Sequence, residues 1–114
     1  MKFNKYGNVK KIIGGIKFDS TKEANRYCEL KLLQKAGVIK QLEIQTVFVL
    51  QEPFFDFSGK KQRDIRYIAD FTYFQGDKYI VEDVKSPITR KNPVYAIKKK
   101  MLLKRYQRIF FIET

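Results

Sequence analysis

The residues of this chain that could do chemistry are carboxylates and lysines. Histidine is absent and Cys28 is the only cysteine, which excludes Ser-His-Asp and Cys-His catalysis, a Cys-rich zinc site and an internal disulfide. Cys28 itself is expected to be a small core residue. The most suggestive stretch is "YIVEDVKS", residues 79–86, where Glu82, Asp83 and Lys85 interrupt residues typical of a buried strand. Folding alone does not explain charges at such positions.

A turn before this stretch predicts which residue meets Asp83. Gly76-Asp77 is a typical two-residue hairpin turn, because glycine readily adopts the conformation that the first central position requires. Such a turn opposes Gln75 to Lys78. In the same register Asp70 opposes Asp83, and the Cβ atoms of directly opposed residues lie about 4.5 to 5.5 Å apart. Two carboxylates are therefore predicted to meet across two strands.

The alternation of side chains along a strand adds a lysine to this pair. Period two places Lys85 on the same face as Asp83, with Glu82 on the other face. The register opposes Lys85 to Ile68. Like charges as close as Asp70 and Asp83 are destabilising unless they share a proton or bind a cation, and aspartate oxygens suit Mg2+ or Mn2+ better than Zn2+. The pattern favours a divalent metal site; an exposed cross-strand charge pair is the alternative.

The elements that must position these residues begin with a hairpin and a helix. Gly14-Gly15 separates two short apolar runs, as a tight hairpin turn does. Ser20, followed by Glu23 three residues later, forms a capping box, and Gly37 provides a C-terminal stop. A helix over residues 21–36 is therefore predicted.

The remainder of the chain predicts strands around one further helix. The elements are a strand at 38–51, an exposed and mobile loop at 52–63, strands at 64–74 and 79–86, a helix from Pro93 and a strand at 108–112. Pro87 is expected to end the 79–86 strand, because proline has no N–H for a ladder. Since a helix joins the last two strands, they should be parallel. The predicted fold class is α/β (α+β): a mixed central sheet with helices on its faces and the order α-β-β-β-α-β after the N-terminal hairpin.

Length and charge indicate a single basic domain. The chain has 114 residues, so residues 1–114 are expected to form one domain, with residues 1–8 as a flexible basic N-terminus. Lysine and arginine number 24 against 12 acidic residues, and the net charge of +12 favours a polyanionic partner, above all nucleic acid. No apolar run approaches the roughly 18 residues of a membrane span and no secretory signal is recognised, so a cytoplasmic location without a membrane partner is expected.

Two segments around the paired aspartates resemble a nuclease signature. "IADF" and, after a short hairpin, "VEDVKS" resemble the PD-(D/E)XK motif of the restriction-endonuclease-like superfamily, with Asp70 as the first acid and residues 83–85 as the (D/E)XK element. Ala69 stands where the superfamily name has proline. Together with "FDSTKEA" and "LEIQ", these segments are similar to a family of small phage endonuclease-like proteins and, more distantly, to the catalytic domain of the transposon-end nuclease TnsA.

The resemblance implies a restriction-endonuclease-like core and a role for each residue of the motif. Asp70, Asp83 and the backbone carbonyl of Val84 would hold Mg2+ or Mn2+. Lys85 would orient or deprotonate the attacking water, or stabilise charge on the phosphate. The implied activity is hydrolysis of DNA phosphodiester bonds in phage DNA processing.

The resemblance also implies two further site residues. Glu23 would join the metal through a water or a second ion, and Gln45 would lie beside it. Each has a structural alternative: Glu23 could serve only the capping box, and Gln45 could be a polar residue of a half-buried strand. Glu82 is expected to have a structural partner such as a helix lysine.

Basic residues are expected to bind the phosphates of the DNA backbone. Those near the predicted site are Lys60, Lys61, Arg63, Arg90, Lys91 and Lys98. The C-terminal helix and its end add Lys99, Lys100, Lys104, Arg105 and Arg108. Phosphate contacts give affinity without reading sequence, and no base-reading element is recognised. A charged helix face that is merely solvated is the alternative.

The sequence thus predicts a metal-dependent endonuclease that recognises a DNA structure, such as a branch or junction, rather than a base sequence. A homodimer formed through the apolar stretch "PFFDF", residues 53–57, would suit a two-fold substrate. Two alternatives are a catalytically silent nucleic-acid-binding module of the same fold and a basic interaction protein that acts on another nucleic-acid machine.

Overall fold

The computed structural model describes residues 11–114, so the predicted flexible residues 1–8 lie outside it. In chain order its elements are β1 (Lys11–Ile13), β2 (Ile16–Phe18), α1 (Thr21–Lys35), β3 (Lys40–Gln51), β4 (Phe54–Phe55), β5 (Lys61–Gln62), β6 (Ile65–Gln75), β7 (Lys78–Asp83), α2 (Pro87–Arg90), α3 (Pro93–Arg105) and β8 (Ile109–Glu113). Within this range, no helix combines the length and the apolar character needed to cross a bilayer.

A four-stranded mixed sheet in the order β3-β6-β7-β8 lies at the centre of the fold. β6 is antiparallel to both β3 and β7, whereas β7 and β8 are parallel. α3 lies between these two strands in the chain, so the predicted parallel pairing across a helix is confirmed. With the three helices of the described range, the protein has a mixed α+β fold.

Local sequence signals set the first elements as predicted. Gly14 and Gly15 have φ values of +56° and +81°, which glycine adopts without strain, and they join β1 to β2 in an antiparallel hairpin. Ser20 caps α1, since its side-chain oxygen accepts the Glu23 N–H at 3.1 Å. The helix ends at Lys35, one residue before the predicted end.

α1 packs on one face of the sheet through a narrow stripe of its surface. Ala24 and Leu30 are fully buried and Tyr27 packs beside them. Cys28 is exposed, so its prediction as a core residue was wrong. Helix geometry gives the reason: Cys28 follows Tyr27 by one residue, which rotates it about 100° away from the buried stripe. Leu32 is likewise 68% exposed.

α3 covers the opposite face of the sheet. Asn92 caps this helix by accepting the N–H groups of Val94 and Tyr95 at 2.9 and 3.2 Å. Leu102 is fully buried in a second apolar cluster that includes Phe48 of β3. Helices therefore lie on both faces of the sheet, as predicted.

Residues 52–63 are not the loop that the sequence predicted, because β4 and β5 pair there as a short hairpin. Asp56 organises its turn. The Asp56 Oδ1 atom accepts the N–H and hydroxyl of Ser58 and the N–H of Lys60, while Oδ2 accepts the side-chain amide of Gln62. The composition is typical of a loop, but these carboxylate bonds convert it into a defined turn.

β7 ends at Asp83 and does not continue to Ser86 as predicted. Its pairing with the C-terminal end of the chain persists, since the Thr114 N–H donates to the Asp83 carbonyl at 2.9 Å. Ser86 instead caps α2, where it accepts the Thr89 N–H at 3.2 Å. Pro87 begins this helix at a position where its missing N–H costs nothing.

Candidate active site

The hairpin register beside the two aspartates is the predicted one. Gly76 has a φ of +63° in the turn. The Cα pairs of β6 and β7 run from Gln75 opposite Lys78 to Phe71 opposite Glu82. The regular pairing stops there, one position before the aspartates.

Beyond this point, hydrogen bonds to the carboxylates of Asp70 and Asp83 join the two strands in place of backbone–backbone hydrogen bonds. The Asp70 N–H donates to Asp83 Oδ1 at 2.9 Å, and the Val84 N–H donates to Asp70 Oδ2 at 2.9 Å. Each carboxylate is thus fixed by a backbone amide of the opposite segment, and the two lie side by side. The predicted opposition of Ile68 to Lys85 is wrong, because β7 ends at Asp83 and leaves Lys85 outside the ladder.

β3 and β6 both depart from regular geometry beside Asp70. Gln45 of β3 has a φ of +52°, a left-handed conformation that costs a non-glycine residue about 1 to 2 kcal/mol. In β6, Phe71 packs in the cluster under α1 and Ala69 in the cluster under α3, although regular alternation would place both on one face. The side chains of β6 therefore exchange faces of the sheet at Asp70. Asp70 lines a cleft together with Glu23 of α1.

Lys85 lies between the two aspartates. Its Nζ atom is 3.7 Å from Asp70 Oδ2 and 3.8 Å from Asp83 Oδ1. The same atom lies 5.6 Å from the centre of the Tyr95 ring, a cation–π contact that restrains the ammonium group. The three charged residues converge as predicted, with the lysine partly neutralising both carboxylates.

Tyr95 is a site residue that sequence reasoning missed. Its hydroxyl donates to Glu113 Oε2 at 2.7 Å, and burial followed by this bond raises the pKa of Tyr95. The ring is thereby fixed below Lys85. The sequence carries no signal for this contact, because it depends on where α3 lies against the end of β7.

Glu23 is buried in the first turn of α1, near Asp70. Gln45 donates from Nε2 to Glu23 Oε1 at 3.4 Å, so these two residues do come together. Within residues 11–114 the Glu23 carboxylate accepts no bond from the Ser20 N–H, so capping alone does not account for its position. Burial raises the pKa of Glu23 to about 7, and the carboxylates of Asp70 and Asp19 add to the rise.

The two aspartates sit where a proton or a cation is needed. Asp83 is fully buried, and its Oδ2 atom has no hydrogen-bond partner among the described residues. Burial raises the pKa of Asp70 and of Asp83, although Lys85 lowers both. A buried carboxylate oxygen without a partner is costly. Two adjacent carboxylates supply oxygen ligands of the kind that a hard divalent ion prefers.

The number of side-chain ligands is small. The part of the chain that the structure describes contains no group of three or more His, Cys, Asp or Glu side chains spaced to hold a metal. An ion at Asp70 and Asp83 would therefore complete its shell with the Val84 carbonyl and water. Glu23 lines the same cleft as Asp70, and its contact with an ion through water stays a prediction.

Two clefts meet at Lys85. One, of about 470 Å³, is lined by Asp83, Tyr95 and Lys98 among others. The other, of about 360 Å³, is lined by Glu23 and Asp70, and Lys85 borders both. The candidate site is thus accessible from both sides of the lysine.

Glu82 points to the face opposite Asp83, as predicted, and its partner is an arginine rather than a lysine. Arg26 of α1 donates to Glu82 Oε2 at 2.6 Å, and the Tyr73 hydroxyl donates to Oε1 at 2.6 Å. The Thr114 hydroxyl completes the set at 3.1 Å. This buried network ties α1 to the sheet and is separate from the aspartates.

Part of the predicted phosphate-binding set borders the candidate site. Arg90 ends α2 and Lys91 is its C-cap, both exposed. Lys98 of α3 lines the larger cleft, next to Tyr95. The half-buried Lys85 lines the same cleft as Lys98, together with Thr89 and Asn92, which flank Arg90 and Lys91 in the chain.

The other part, Lys60, Lys61 and Arg63, lines neither cleft, and its role in binding phosphate near the site stays a prediction. They belong to the β4–β5 hairpin and its exit, beyond the start of β6 at Ile65. Five residues of strand separate Ile65 from Asp70, a distance of about 17 Å.

Two of the helix cations have structural partners. Lys99 lies 2.7 Å from Glu113 Oε1. Arg105 donates to the Leu50 carbonyl and to Glu52 Oε1, both at 3.1 Å. These two side chains anchor α3 and the end of β3, while Lys100, Lys104 and Arg108 are exposed and form no salt bridge within residues 11–114.

Comparison with known proteins assigns a family. Neither a curated protein nor a solved structure matches the chain. Residues 3–112 match the model of a family whose description reads "Protein of unknown function (DUF1064)". Since the match spans nearly the whole sequence, the protein belongs to this family.

Proposed function

We propose that this protein is a Mg2+- or Mn2+-dependent endonuclease of the PD-(D/E)XK type that hydrolyses DNA. One observation carries the proposal: Asp70 and Asp83 are fixed side by side, and Asp83 Oδ2 is buried without a partner. A buried carboxylate oxygen without a protein partner calls for a proton, a water or an ion, and a divalent ion held by both carboxylates is the occupant that we propose. When the β4–β5 hairpin and the short helix α2 are left aside, the elements α1, β3, β6, β7, α3 and β8 follow the order that the resemblance implies, and this supports the same proposal.

Each residue near the aspartates has a defined part in such a reaction. A divalent ion, when bound, supplies Lewis-acid stabilisation of the phosphate and a more acidic water. Asp70 and Asp83 hold it with the Val84 carbonyl. Lys85 orients the attacking water or stabilises the charge that develops on the phosphate oxygens. Glu23, whose pKa is raised to about 7, can exchange a proton with a water at the edge of the site near neutral pH.

The substrate class follows from charge. A net charge of +12 supports a DNA partner, since backbone phosphates are bound through lysine and arginine. Arg90, Lys91 and Lys98 beside the clefts are the cations that would position the scissile strand. We propose branched or junction DNA, formed in phage DNA processing, as the substrate. A homodimer would suit a junction that has two-fold symmetry.

The test is cleavage of plasmid, single-stranded, forked and four-way DNA in Mg2+, in Mn2+ and in EDTA. Asp83→Asn should reduce cation-dependent cutting by about 100-fold or more, with DNA binding retained or strengthened because a negative charge is lost. Asp77→Asn is the matched control, since Asp77 is an exposed turn residue. Equal cutting by both variants would contradict the site.

Binding of the ion is measured separately by titrating Mn2+ and following its electron paramagnetic resonance signal. Wild-type protein should bind the ion and Asp83→Asn should not. DNA binding without any cation-dependent cut would favour the silent binding module. Absence of both DNA binding and metal binding would favour a protein that acts through another protein.

A further inference from the structure

The β4–β5 hairpin presents three phenylalanine side chains to solvent. Phe54, Phe55 and Phe57 are 46%, 69% and 110% exposed. Single exposed apolar residues are common on soluble proteins, but three exposed aromatic residues within four positions of one short hairpin indicate a binding surface. These residues make no contribution to the two buried clusters of the fold.

The turn that carries them is well defined by hydrogen bonds. The Asp56 N–H donates to the Lys60 carbonyl and the Gly59 N–H to the Asp56 carbonyl, both at 2.9 Å. These bonds add to the side-chain bonds that the Asp56 carboxylate accepts. At the base, the Tyr106 hydroxyl donates to the Val49 carbonyl at 2.9 Å and ties β3 to the end of α3. The rings are therefore offered in a preorganised arrangement, which lowers the entropy cost of binding.

Cations flank the aromatic rings. Lys60, Lys61 and Arg63 are exposed, and none of them forms a salt bridge within residues 11–114. Aromatic rings beside free cations are the combination that binds single-stranded nucleic acid, because bases stack on the rings while phosphates contact the charges. Stacking of this kind tolerates any base sequence.

We propose that the β4–β5 hairpin binds the unpaired bases of branched DNA, with bases stacked on Phe55 and Phe57 and phosphates on Lys60, Lys61 and Arg63. This inference rests on the proposed function for its substrate, although the binding itself requires no cleavage. Ile65, the first residue of β6 after the hairpin, lies about 17 Å along the strand from Asp70, which corresponds to about five nucleotide steps of duplex. The cut is therefore expected several nucleotides away from the branch.

A second copy of the chain is a poorer occupant of this surface. In a two-fold interface each patch meets its own copy, so the cations of one protomer would face the same cations of the other without acidic partners. The three rings expose roughly 450 Å², which is below the area of about 800 Å² per partner in a standard interface. Charge and area both favour a polyanion.

The test measures DNA binding in EDTA, where the proposed nuclease cannot act. Three labelled substrates are compared: a blunt duplex, the same duplex with a single-stranded fork, and the single strand alone. The variants are Phe57→Ala and the double variant Phe55→Ala/Phe57→Ala. Leu32→Ala, at a position 68% exposed on α1, is the matched control for loss of an exposed apolar side chain.

Phe57→Ala should weaken binding of the fork and the single strand by about tenfold, and the double variant by more, with little change for the blunt duplex. A 2-aminopurine base placed beside the branch should lose fluorescence on binding wild-type protein and keep it with Phe57→Ala. Leu32→Ala should behave as wild-type. Thermal unfolding of the variants should be unchanged, because the rings are exposed.

Equal weakening of all three substrates, or no weakening of any, would overturn the proposal. Sedimentation analysis tests the alternative occupant. If wild-type protein is a dimer and the double variant is a monomer, the hairpin is a protein interface and the proposal is overturned. Loss of cleavage in the earlier assay leaves these measurements unaffected, so failure of the two proposals can be told apart.

Discussion

Without a divalent cation, the free energy of unfolding should fall as the pH rises from about 5 to about 8. The pKa of Glu23 is raised from 4.5 to about 7 by burial and by the carboxylates of Asp70 and Asp19. Between these values the folded protein binds more protons than the unfolded chain. The stabilising contribution is therefore complete below pH 4.5 and lost as the pH rises through about 7.

The size of this effect follows from the shift. Each pKa unit corresponds to about 1.4 kcal/mol, so Glu23 alone accounts for about 3 kcal/mol. The raised pKa values of Asp70 and Asp83 act in the same direction. The pKa of Asp56 is lowered to about 2, so its effect on the free energy of unfolding has the opposite sign. This stabilising contribution is lost only as the pH falls toward that value. The window from about 5 to about 8 thus reports on the site.

Urea unfolding followed by circular dichroism, in EDTA and at several pH values, measures this dependence. Glu23→Gln should flatten the pH profile, whereas Asp77→Asn should retain it. Millimolar Mg2+ should stabilise wild-type protein more at about pH 8 than at about pH 5, because the deprotonated carboxylates bind the ion and the protonated ones do not. A profile that rises with pH, or an unchanged slope in Glu23→Gln, would refute the reasoning.

Three further outcomes test the fold. Arg26→Met should destabilise the protein by about 3 to 5 kcal/mol in urea unfolding, because it leaves the buried Glu82 charge without its partner; a cost below about 1 kcal/mol would contradict that assignment. Leu102→Ala should cost about 2 to 5 kcal/mol in the same assay, since Leu102 is fully buried under the sheet. Asp56→Ala should accelerate hydrogen exchange in residues 54–62 while leaving β6 and β7 protected, and uniform acceleration would show that Asp56 does not act locally.

Several features of the fold could be predicted from sequence because nearby residues decide them. The turn at Gly76-Asp77 sets the β6–β7 register down to Phe71 and Glu82. Ser20 caps the helix that begins after it. A helix that joins two adjacent strands of one sheet favours their parallel pairing, as β7 and β8 show. Each signal acts over a few residues or through the chirality of the chain, so no tertiary contact is needed to read it.

The sequence correctly predicted that Asp70, Asp83 and Lys85 lie close together. It did not predict the hydrogen bonds and strand irregularities that bring them there. Regular pairing would have continued past the aspartates. The Asp70 carboxylate instead takes the Val84 N–H, and the β6 strand is turned over where Gln45 adopts a positive φ. These events depend on three strands at once.

The sequence by itself determined the charge of this protein, the order of its longer helices and strands, and the pair of strands on which two carboxylates come together. Only the tertiary structure decided that Asp83 Oδ2 is buried without a partner, that Tyr95 restrains Lys85, and that residues 54–57 project as an aromatic turn. The physical reason is the range of the interactions. Caps, turns and crossovers are local, whereas burial and unsatisfied groups arise from contacts between segments far apart in the chain.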